Sequence, residues 1–135
     1  MASKEPRRDR PRGSLPGGDD PAVLLDVQLD GGTLWLVLAN DSNQPAFHVS
    51  VDFERSLFGA GGDLDVTGLA IFRGLGLLRR GREIRVFVDR AEHFFKRGEG
   101  SELRARVSWE SREGKRFVQD FRHDLIVWKD FGEIG

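Results

Sequence analysis

The stretch from Ser101 to Trp128, SELRARVSWESREGKRFVQDFRHDLIVW, restricts the fold of this chain more than any other. Alternate residues of a strand share a face. Leu103, Ala105, Val107 and Trp109 fall on one face, and Arg104, Arg106, Ser108 and Glu110 on the other. The turn over Arg112-Glu113-Gly114 needs a positive φ, which glycine adopts without a steric penalty. Folding back across it sets Trp109 opposite Phe117, Ala105 opposite Phe121, Glu110 opposite Arg116 and Arg106 opposite Asp120, with His123 facing Leu103. Apolar meets apolar and opposite charges meet, and a slip of one residue destroys both matches. Gln119 falls among the apolar positions, which predicts a bulge or a sheet edge beyond it.

The same alternation recurs upstream. Val23, Leu25, Val27 and Leu29 lead into Gly31-Gly32, a two-residue hairpin turn. Pairing across it sets Leu29 against Leu34, Val27 against Leu36 and Leu25 against Leu38. Asn40 to Pro45 are turn residues. A third strand follows, with Phe47, Val49, Val51 and Phe53 inward. The loop from Arg55 to Asp65 holds Gly59 to Gly62 without the Lys-Ser/Thr or the following helix of a phosphate cradle, and reads as a connection. Val66 to Phe72 reads as a short edge strand, Leu75 to Arg82 as a glycine-broken connection, and Glu83 to Asp89 as a strand with Ile84, Val86 and Val88 inward. Asp89 stands where it can cap a helix of two turns at most, with Glu92 at the reciprocal position and Gly98 placed to stop it.

Residues 1–21 differ from the rest. They carry four of the five prolines and no aromatic residue, so they cannot bury enough apolar area to offset the entropy of ordering. The expected organisation is a disordered tail at 1–21, a β domain at 22–130 and a frayed end at 131–135. Lys4, Arg7, Arg8, Arg10 and Arg12 form a basic cluster that nearby Glu5, Asp9, Asp19 and Asp20 nearly cancel. Over 135 residues the formal charge is −1, so nucleic acid and anionic membranes are not indicated as partners of the whole molecule. No cysteine is present, which excludes disulfides, thiolate metal sites and a cysteine nucleophile, and suits a reducing, cytoplasmic setting. The N-terminus lacks the apolar run of a secretory signal, and no stretch approaches the length of a membrane span.

Seven strands are expected, at about 23–30, 33–40, 46–54, 66–72, 83–89, 102–111 and 115–128, with one helical turn between the fifth and sixth. Two packed sheets bury such inward rows most efficiently. The segment LWLVLANDSNQPAFHVSVDFE is similar to the second and third strands of bacterial modules of the immunoglobulin-like, fibronectin type III kind, and SWESREGKRFVQDF resembles their penultimate hairpin. The resemblance spans roughly residues 22 to 128. It implies an all-β, seven-stranded sandwich with strands one, two and five in one sheet, and three, six and seven in the other with four at its edge. It implies a binding or spacer module. The chain departs from that family in having no tyrosine, and so no tyrosine corner, and no cysteine pair.

Chemistry is sparse. His48, His93 and His123 follow no zinc-binding spacing, so neither a metal nor another cofactor is expected. Asp52 and Glu54 share a face and could serve as acid and base. Arg104, Arg106, Asp120 and Asp124 share it too, which favours a solvated, ion-paired surface. No catalytic set emerges, and the chain reads as a non-enzyme. Arg79, Arg80 and Arg82 are a candidate anion-binding turn and, with the basic cluster of the tail, the basis of an alternative reading as a nucleic-acid or acidic-partner binder. The leading candidate is apolar. If Leu34, Leu36 and Leu38 face the core, then Trp35 and Val37 face away, joined by Leu24 and Phe87 on the neighbouring strands and flanked by Arg85. Such strips mark protein contacts or lie under another part of the chain. The expected partner is therefore a protein or a second copy of this chain.

Overall fold

The computed structural model describes residues 13–98 and 100–129. The end at 131–135 and residues 1–12 of the expected tail lie outside the described residues. The elements in order are β1 (Val23–Asp30), β2 (Thr33–Asn40), β3 (Ala46–Phe53), β4 (Phe58–Gly59), β5 (Leu64–Asp65), β6 (Leu75–Leu78), β7 (Glu83–Arg90), α1 (Ala91–Lys96), β8 (Glu102–Glu110) and β9 (Arg116–Asp124). A 3-10 turn at Leu125–Trp128 follows. The described chain is mostly β. One sheet has three strands in the order β1-β2-β7, and another has four in the order β6-β3-β8-β9, while β4 and β5 form a small ribbon. All pairings between these strands are antiparallel.

Hairpin registers follow the residue chemistry. Leu29 pairs with Leu34, Val27 with Leu36 and Leu25 with Leu38. Trp109 pairs with Phe117, Ala105 with Phe121, Arg106 with Asp120 and Leu103 with His123. Gly31, Gly32 and Gly114 take the positive φ their turns require. The last hairpin runs unbroken through Val107 and Gln119, so the bulge considered at Gln119 is absent; β9 is instead an edge strand.

The inward rows of both sheets meet in one core. Leu25, Leu34, Leu36 and Leu38 come from the first sheet and Val49, Val107, Trp109 and Phe117 from the second, closed by Phe72 and Phe94 from the connections. Trp109 stacks on Phe117 with ring centroids 5.8 Å apart. Each large apolar side chain so buried contributes about 1.5–3 kcal/mol.

Four expectations change. Val66–Phe72 is not a strand. Asp65 accepts hydrogen bonds from the Thr67 amide and hydroxyl, and this local bonding holds the chain in consecutive 3-10 turns at Val66–Gly68 and Ala70–Phe72. The edge strand is β6, from the stretch read as a connection, pairing Leu78 with Ala46 and Leu75 with Val49. A bulge in β3 changes parity: His48 has φ of 50°, and the register with β8 shifts between Phe47 and Ser50. Phe47 therefore shares the outer face with Glu110, its partner on β8, while Val49 stays in the core. Finally, ordered chain begins before Ala22. Ser14 bridges Phe117 in parallel, with hydrogen bonds of 3.1 and 3.0 Å to the β9 backbone, and buried Trp109 Nε1 donates to the Pro21 carbonyl at 2.8 Å. The free edge of β9 and an unmet indole donor supply the reason: each offers a hydrogen bond to a segment too poor in apolar residues to order by burial.

Candidate functional site

The outer face of the three-stranded sheet gathers the predicted strip. Trp35 on β2 is in register with Phe87 on β7, and Val37 lies between Asp26 and Arg85. The Trp35 and Phe87 rings meet edge to face at 5.9 Å. Arg85 lays its guanidinium over Trp35, 4.4 Å from the ring centre, and donates to Asp30 at 3.2 Å. An arginine so placed gains a cation–π contact while staying in solvent. Phe87 is 42% exposed, against 1% for Val37. Val37 is thus removed from the accessible strip. It sits on the central strand of the sheet, flanked on both sides. Leu24 and Trp35 are half-buried. Trp35 Nε1 is buried with no acceptor among the described residues.

Leu75–Leu78, from the stretch read as a connection and a candidate to lie over the strip, is instead β6 of the other sheet. A shallow concavity of about 570 Å³ adjoins the strip. Asp26, Gln28, Asp30, Glu83 and Arg85 line it, together with Trp128 from the C-terminal turn. The surface therefore carries an exposed aromatic ring, one arginine and three carboxylates.

Arg79, Arg80 and Arg82 fall in the turn between β6 and β7, all exposed. Among the described residues none of them is in an ion pair.

The outer face of the four-stranded sheet holds an open concavity of about 500 Å³ that includes Asp52 and Glu54. Asp120 and the neighbouring Glu102 are engaged by arginines, and Glu54 lies 3.9 Å from Arg104. Arg106 grips Asp120 with two hydrogen bonds, at 2.7 and 3.2 Å, and Glu102 bridges Arg104 at 3.1 Å and Arg122 at 2.6 Å. The hydrogen bond from Arg106 holds the Asp120 carboxyl below the usual carboxylate range. A general acid at neutral pH needs the opposite shift. The histidines stay apart: His48 meets Glu110, His93 lies near Glu92, and His123 donates to the Leu25 carbonyl at 2.7 Å. Among the described residues no group of three His, Asp or Glu is arranged to hold a metal ion. No helix among them is long and apolar enough to cross a membrane.

One cluster was misread in the sequence. Asp89 is not the helix cap; Arg90 holds that position, with no side-chain cap. Val88 has no partner on β2, and this bulge turns Asp89 inward beside Leu34, where it is 2% exposed. Burial pushes the Asp89 carboxyl up. The Arg97 guanidinium and the amides of Gly61 and Arg90 outweigh it and hold the group below its ordinary range. Arg97 also donates to the Phe58 carbonyl at 2.9 Å, so the glycine loop is tied to β7 and α1. A side chain at Gly59 would overlap the Val88 carbonyl oxygen. The spacing of Asp89 and Arg97 across a two-turn helix, beside a glycine loop, was the available signal.

No family model, curated protein or solved structure matches the chain.

Proposed function

We propose that the chain is a non-catalytic interaction module that binds protein, in the first instance a second copy of itself, through Trp35, Phe87, Arg85 and Leu24. The proposed scaffold is a seven-stranded, immunoglobulin-like sandwich of the fibronectin type III kind. Its support is the strand order: with the short β6 as the fourth strand, strands one, two and five share one sheet and the remaining four the other. The proposed setting is cytoplasmic, on the cysteine-free composition.

The observation that carries the reading is Phe87, a large ring held 42% exposed on the outer sheet face against Trp35. Rigid aromatic side chains give contact area at little entropic cost, and arginine beside them is the other residue enriched in interface centres. The strip suits a two-fold contact because it carries both signs, Arg85 beside Asp26 and Asp30, so that each copy can meet the other's opposite charge. Light scattering across a concentration series, with melting measured alongside, tests this on Phe87→Asp and Trp35→Lys. The expected result is a wild-type mass that rises with concentration, a monomer in both variants, and melting of Phe87→Asp within a degree or two of wild type. A wild-type monomer throughout, with melting that collapses in both variants, would assign the strip to the fold and remove the reading.

A further inference from the structure

Two sheets have four outer edges, and other parts of the chain touch three of them locally. The Ser14 backbone bonds to β9 at Arg116 and Val118. The His123 ring donates to the Leu25 carbonyl of β1. Gly59 of β4 presses on Val88 of β7. The fourth edge is β6. It pairs with β3 on one side, and no described strand lies on the other; at its C-terminal end the Asn40 side-chain amide donates to the Leu78 carbonyl at 3.0 Å. A strand edge left open presents unpaired amide and carbonyl groups, and proteins usually blunt it with charge, proline or a bulge. The sequence of β6 is Leu-Gly-Leu-Leu, with none of these on the strand itself. Gly74 and Gly76 leave open space where a side chain would stand, and Leu77 is 43% exposed.

Charge is placed at the two ends of this edge. Arg73 precedes β6, and Arg79, Arg80 and Arg82 follow it; all four are exposed. None is in an ion pair among the described residues. From Val66 to Val88 the only carboxylate is Glu83, in a protein whose charges otherwise nearly balance. Elsewhere on the surface several arginines are matched, as Arg106 is to Asp120 and Arg122 to Glu102, while Arg55, Arg112 and Arg116 stand singly and without an ion pair among the described residues. Four unmatched cations at the ends of one open strand form a local field for an anion in extended conformation.

We propose that the free edge of β6 is a strand-addition site for an extended acidic peptide, whose backbone continues the four-stranded sheet and whose carboxylates meet Arg73 at one end and Arg79, Arg80 and Arg82 at the other. In this mode main-chain hydrogen bonds give affinity and flanking contacts give selectivity. A peptide fits better than nucleic acid because the site offers a ladder of amides and carbonyls, and no aromatic ring stands on β6 or in its flanking turn for base stacking. The site lies on the opposite sheet from Phe87, so it stands independently of the self-association reading.

The test titrates the full chain into a fluorescein-labelled peptide of about eight residues alternating Glu with Thr, following anisotropy, and maps the site by amide chemical shifts. The expected result is saturable binding with shifts centred on Leu75 to Leu78. Arg79→Glu combined with Arg80→Glu should weaken it by about tenfold or more. A peptide of the same sequence with alternate backbone amides N-methylated keeps every charge but cannot pair as a strand, and should also lose about tenfold or more. Phe87→Asp should bind the parent peptide as wild type does. Equal binding of the methylated peptide, shifts confined to other strands, no binding at all, or tighter binding of an RNA oligonucleotide of equal charge would each overturn the proposal.

Discussion

Asp89 stands where a carboxylate is costly, and it stays ionised because three donors converge on it. Its folded value lies below the ordinary 3.8, so the unfolded chain takes up the proton more readily. The resulting stability is whole above the unfolded value and is lost as pH falls through the folded one. Melting should therefore hold steady from neutral pH down to about 4 and drop below it, with Asp120 and Asp65, shifted the same way but more exposed, adding smaller losses. Arg97→Met leaves the buried carboxylate without its guanidinium and should cost about 3–5 kcal/mol at neutral pH. The same variant should lose less on acidification than wild type, measured by urea unfolding at pH 7 and pH 3.5. The residue pattern held only the spacing of Asp89 and Arg97 as a signal, and Asp89 reads there as a helix cap. A bulge of one residue, Val88, moves it to the other face, and a bulge leaves no mark in alternation read strand by strand.

At the scale of elements, legibility followed hydrogen-bonding range. The two glycine-turned hairpins came out in register because turn and pattern are adjacent in sequence, and each checks the other. The Trp35 and Arg85 contact rests instead on the pairing of β2 with β7, which the expected sheet of strands one, two and five supplies. The edge strand was not legible: Val66 to Phe72 has the composition of a strand, but the Asp65 carboxylate captures the Thr67 amide before a ladder can. In β3 the bulge at His48 was hidden too, since a histidine with φ of 50° carries no glycine to announce it. A non-glycine residue there costs about 1–2 kcal/mol. His48→Gly should therefore melt no lower than wild type, because the exposed His48–Glu110 pair it removes is worth little. His48→Val should lose about 1–3 kcal/mol, since branching at Cβ resists that conformation. Equal losses in both would place the parity change elsewhere.

The whole molecule is two sheets closed over one core, so its unfolding should be a single transition. Trp109 belongs to that core and also holds the Pro21 carbonyl. Trp109→Ala should lower stability by about 3–5 kcal/mol, and should speed amide exchange in 13–21 beyond the global change. Self-association through the strip requires that the ring of Phe87 meet solvent in the free chain and protein in the assembled one. A soluble paramagnet in an NMR concentration series reads this directly. Association through this face predicts strong relaxation of the Phe87 ring protons in dilute protein, weakening as concentration rises, while Leu77 on the other sheet keeps its relaxation throughout. Relaxation of Phe87 no stronger than that of buried Phe94 in dilute protein, or unchanged from dilute to concentrated, would contradict it.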